Sequence, residues 1–88
     1  MDRIANIRQL LQESFAPSSL EIIDESHLHA GHAGARDGAG HYVVKIVSSA
    51  FADKNPVQRH QAVYAALSTM MKTEIHALSI QAKTPEEH

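Results

Sequence analysis

"HYVVKIVSS", residues 41–49, is the stretch on which the fold turns. β-Branched residues are dense in it, and apolar side chains fall at both odd and even positions. A strand with apolar residues on both faces is a central strand. Soon after it comes "DKNPVQ" (53–58), which announces a helix. Asn55 suits the N-cap, Pro56 the first helical position, and Gln58 completes a capping-box pattern. The periodicity predicts a helix to about Lys72, with Val57, His60, Val63, Tyr64, Leu67, Met70 and Met71 on its inner stripe. "HALSIQAK" (76–83) alternates and reads as a further strand. Strand, helix and strand in this order make a β-α-β crossover, which is right-handed and joins parallel strands.

Before the central strand, residues 25–40 hold all four glycines and three of the seven histidines. They read as a loop, long for so small a domain, and such loops often carry function. Leu20–Asp24 is short, apolar and β-branched at Ile22 and Ile23, and reads as a strand pairing antiparallel with 41–49. Asp2 can cap a helix through about Phe15, with Ile4, Ile7, Leu10, Leu11 and Phe15 on one stripe. "APSS" (16–19) ends that helix, and "TPEEH" (84–88) is a polar end that can form a frayed helical turn. The expected fold is α+β: α-β-β-α-β, one domain over residues 1–88, a three-stranded mixed sheet covered on one face by helices.

This topology has a consequence for the histidines. The loop joins the end of the first strand to the start of the second. The third strand runs parallel to the second, so it starts at the same edge of the sheet. His27, His29, His32, His41 and His76 are thereby expected at one end of the molecule, and His60 and His88 away from it. His60, on the helix stripe, is expected to be a packed residue. Two imidazoles without further ligands do not close a tetrahedral structural site, so the cluster reads as half of a metal site. The plain alternative is a histidine- and glycine-rich loop that binds metal only incidentally.

Composition narrows the classes. Eighty-eight residues carry eight Lys+Arg against ten Asp+Glu, a net charge of −2, and no cysteine. A protein that grips phosphates usually has a basic excess. The lack of thiols suits a reducing, cytoplasmic setting. No apolar run is long enough for a membrane span, and the first fifteen residues lack the pattern of a secretory signal. No nucleophile–base pair, phosphate loop or carboxylate pair is evident, so an enzyme is not expected. A nucleic-acid footprint would have to rest on Lys54, Arg59 and Lys72, with Lys45 and Lys83 if these share a face.

Four blocks, "LEIIDESHLHAGH" (20–32), "HYVVKIVSSAF" (41–51), "VQRHQAVYAAL" (57–67) and "IHALSIQAKTP" (75–85), resemble the BolA family in order and spacing. The resemblance covers almost the whole chain. It implies a fold similar to a type II KH domain and a partnership with monothiol glutaredoxins, in which a [2Fe–2S] cluster is shared and glutathione enters through the partner. The family's ligands would correspond here to His76 and to a loop histidine, His29 or, second, His32. The chain alone would be a monomer and the complex a heterodimer. The family's bacterial founder is also described as a DNA-binding regulator of morphology and stress response, which makes weak DNA binding the alternative function. The family often has glycine and a second basic residue where this chain has Ala52 and Gln61.

Overall fold

The computed structural model describes residues 3–25 and 40–87. Helix α1 spans Arg3–Phe15, strand β1 Ser19–Asp24, strand β2 Gly40–Val47, helix α2 Pro56–Ala66, a single helical turn α3 Ser68–Met71, and strand β3 Ile75–Lys83. The sheet has the order β1-β2-β3. β1 is antiparallel to β2, and β3 is parallel to it. The α+β order and the central place of 41–49 are as expected. The N-cap expected at Asp2 lies outside the described residues.

α1 buries Ile7 and Leu11, and Ile4, Leu10 and Phe15 pack half-buried beside them. The even positions of β2, Tyr42, Val44 and Ile46, meet them from the sheet, with Val63, Leu67, Met70, Ile75 and Ile80 completing one core on one face. On the opposite face Lys45, which pairs with Glu21 on one side and Gln81 on the other, is exposed, while Val43 is half-buried and Val47 buried. β2 ends earlier than expected, because Ser48 turns the chain into a 3₁₀ turn, Ser49–Phe51. Its buried hydroxyl accepts from Ala50 N–H (3.1 Å) and donates to the Phe15 carbonyl (2.6 Å). One side chain thus caps the turn and ties it to the end of α1. Phe51 then enters the core against Phe15, ring centres 4.9 Å apart.

The capping box at α2 is present in both halves, Gln58 N–H to Asn55 Oδ1 at 2.8 Å and Asn55 N–H to Gln58 Oε1 at 3.0 Å. The helix does not run unbroken to Lys72. Leu67 N–H is shared between the carbonyls of Val63 and Tyr64, and the ladder tightens there before α3. The inner stripe also needs correction. Val63, Leu67 and Met70 are buried, but Val57 is 64% and Tyr64 37% exposed, and His60 is exposed rather than packed. α2 carries two adjacent apolar stripes, and a three-stranded sheet is wide enough to cover only one. The second overhangs the edge strand β3, where the Tyr64 hydroxyl donates to the Leu78 carbonyl (3.2 Å).

Candidate metal-ligating end of the sheet

Gly40 opens β2 because Tyr42 folds back over it: a Cβ there would stand 2.6 Å from the Tyr42 ring. The base of the connection between β1 and β2 is pinned at both ends. Glu25 N–H donates to the His41 carbonyl (2.8 Å), and Gly40 N–H donates to the Glu74 carbonyl (3.0 Å). Residues 25 and 40 therefore stand at the start of β3, as the parallel arrangement requires.

β3 is irregular at that point. Gly40 pairs with Ile75, but His41 pairs with Ala77, so His76 is the extra residue of a bulge. Burial follows this slip. Ile75 and Ile80 both point into the core although one is odd and the other even, and His76 and Ala77 are successively exposed. A bulge re-aims a side chain that regular alternation would fix. Here it delivers His76 to solvent beside His41, with ring centres 5.0 Å apart and planes 52° from each other.

Imidazole nitrogen suits iron, zinc and copper. With metal–nitrogen distances of about 2.1 Å and a tetrahedral angle, two imidazoles on one ion stand roughly 5 Å apart centre to centre. The His41–His76 centroid distance is of that order, and Nε2 of His41 is buried. Among the described residues no group of three or more His, Asp or Glu side chains is placed to hold a metal. His27, His29 and His32 lie outside the described residues, so the second family ligand does too. His60 is away from this end, on α2, with its ring 6.5 Å from that of Tyr64.

The candidate nucleic-acid residues are placed differently from one another. Lys54 and Lys72 are exposed. Arg59 is not available in the same way: its side chain is 12% exposed and forms a bidentate pair with Glu87, NH1 to Oε1 at 2.6 Å and NH2 to Oε2 at 3.2 Å. Its Nε–H donates to the Lys54 carbonyl (2.9 Å) and NH1 to the Ala82 carbonyl (3.0 Å). Hydrogen bonds from Arg59, and then from the Thr84 backbone, hold the Glu87 carboxyl down at about 2. A polar end with a frayed turn, as expected for 84–88, does not by itself foretell this pairing. The signal was the Thr-x-x-Glu spacing of 84–87, a capping-box pattern, realised as Thr84 N–H to Glu87 Oε1 at 2.8 Å.

Comparison with known proteins agrees with this architecture. The family model described as "BolA-like protein" matches residues 11–87. "Protein BOLA1, chloroplastic" of Arabidopsis thaliana is 45% identical over 98% of this chain, which spans 56% of that protein. "SufE-like protein 1, chloroplastic/mitochondrial" of the same plant is also 45% identical, over 92% of the chain, which spans only 23% of its length. "DNA-binding transcriptional regulator BolA" of Haemophilus influenzae is 41% identical over 92% of the chain and 76% of its own. Among solved structures, BolA1 from Arabidopsis thaliana superposes with a TM-score of 0.87 at 43% identity, covering 100% of this chain and 97% of that one.

Proposed function

This chain belongs to the BolA family, and from that premise we propose that it is a non-enzymatic cytoplasmic adaptor which pairs with a monothiol glutaredoxin and lends imidazoles to a [2Fe–2S] cluster shared with it. The observation that carries this reading is His76, raised on a bulge and exposed, with a second imidazole 5.0 Å away. The connection that holds His29 and His32 leaves β1 and enters β2 at the same end.

His76 would be one ligand and His29 or His32 the second. His41 packs beside His76 and is the third imidazole within reach. The chain has no cysteine, so the thiolates would come from the partner and its glutathione. Histidine in place of thiolate on one iron raises the reduction potential of such a cluster. The two described imidazoles are an open set, which suits a site finished by another molecule.

Co-expression tests the proposal. The isolated chain should purify colourless and monomeric. With a monothiol glutaredoxin it should give a coloured heterodimer whose visible absorption is that of a [2Fe–2S] centre. A stable coloured homodimer of this chain alone would refute the half-site.

One observation favours a second reading, a DNA-binding regulator: the name of the Haemophilus influenzae relative. Against it stand the net charge of −2 and the engagement of Arg59 by Glu87. The expected outcome is binding no tighter than micromolar at physiological salt, without sequence preference, and falling about 0.9 log unit per log unit of salt for each phosphate contact. Sequence-selective binding that resists salt would put the regulator first.

A further inference from the structure

The Arg59–Glu87 pair lies at the far end of β3 from His76 and plays no part in the histidine site. Arg59 is oriented by groups other than Glu87. Its Nε–H is fixed on the Lys54 carbonyl, before α2, and one NH1 hydrogen on the Ala82 carbonyl, at the end of β3. The guanidinium fork is therefore aimed by backbone from two elements and is largely shielded from water. Thr84, itself buried, presents its backbone N–H to the same point. Three donors converge there: NH1, NH2 and Thr84 N–H. Their acceptor is the half-exposed carboxylate of Glu87, brought back by a turn in which Glu87 N–H donates to the Thr84 carbonyl (3.0 Å).

A planar fork plus a backbone N–H is the donor set that recognises a phosphoryl group as readily as a carboxylate. We infer that Arg59 and Thr84 form a receptor for a phosphate oxyanion, and that Glu87 occupies it from within the chain as a tethered mimic. Arg59 comes from α2 and Thr84 directly follows β3, whereas the occupant sits at the exposed end of the turn that Thr84 opens. An intramolecular carboxylate on so short a tether competes at an effective concentration in the millimolar range. An external phosphate consequently binds the intact chain poorly and the receptor emptied of Glu87 well. This inference stands independently of the glutaredoxin reading.

The test uses the full ¹⁵N-labelled chain and inorganic phosphate at constant ionic strength, with chloride as balance. In Glu87→Ala, the Thr84 amide and the Arg59 Nε–H resonances should shift saturably, with half-saturation at least tenfold lower than in wild type. Adding Arg59→Gln to that variant should abolish the response. A short single-stranded oligonucleotide forms the second arm. A response to the oligonucleotide alone identifies a nucleic-acid backbone as the source of the phosphate, and a response to both shows that the free anion suffices. Should Glu87→Ala lose its amide dispersion, Glu87→Gln serves, since a neutral amide gives up the charge pair while keeping the side-chain length. A folded variant that shows no saturable shift with either ligand, or one equal to the Arg59→Gln double variant, reduces Glu87 to a structural clasp and overturns the inference.

Discussion

Ala16 closes α1 with φ at 44°, its N–H donating to the Gln12 carbonyl at 3.0 Å. That is the position where helices usually place glycine, because a Cβ in the left-handed region costs about 1 kcal/mol. Ala16→Gly should therefore raise stability by roughly 0.5–1 kcal/mol, read as an upward shift in the denaturation midpoint. Ser48→Ala should do the reverse. It strips the Phe15 carbonyl and the Ala50 N–H of their shared partner in a buried place, at a cost of about 1–3 kcal/mol. His76→Ala should leave the melting temperature almost unchanged, since most exposed substitutions cost under about 0.5 kcal/mol, while cluster yield in the heterodimer falls sharply. A clear loss of stability with unchanged cluster spectra would make His76 structural. His76→Cys should still assemble a cluster, at a lower potential than wild type. At this scale the sequence was only partly legible. His76 and His41 could be brought together from strand order alone. The exposure of His60 and the engagement of Arg59 could not, because each depends on where the edge of the sheet falls.

Among the elements, the capped start of α2 was the clearest feature to read, since Asn55, Pro56 and Gln58 interact only locally. Asn55→Ala should cost about 1 kcal/mol, measurable by denaturant unfolding. The bulge in β3 was hidden for the opposite reason. "HALSIQAK" alternates faultlessly by itself, and only the pairing of Ile75 with Gly40 shows the slip. The edges of the sheet were hidden as well. Tyr64 covers the Leu78 carbonyl and Arg59 the Ala82 carbonyl on β3, and Arg8 reaches the Leu20 carbonyl of β1 at 3.5 Å. Uncovered edges invite pairing with other chains. The helices here supply the side chains that discourage it.

Taken as a whole, the molecule carries its two proposed sites at opposite ends of β3, nine residues long, a separation of roughly 25–30 Å at the usual rise per residue. Acid should affect the clasp end in a defined way. The Glu87 carboxyl titrates at about 2 in the folded chain, below its ordinary 4.5. A group depressed in this sense stabilises the fold fully above about 4.5, and that contribution is lost as pH falls towards 2. The carboxyl carbon resonance of Glu87 should accordingly show its midpoint near 2. A midpoint near 4.5 would mean that the pair does not form in solution.

The slip at the start of β3 makes His76 a supernumerary residue. Omit it, and Ile75, Ala77, Leu78, Ser79 and Ile80 fall into unbroken inward–outward order against β2. The scaffold has no need of this position. A chain shortened by that one histidine should fold at least as readily as its parent and lose only what the imidazole does. An insertion or deletion of one residue at this point leaves the inward faces of Ile75, Leu78 and Ile80 where the core needs them.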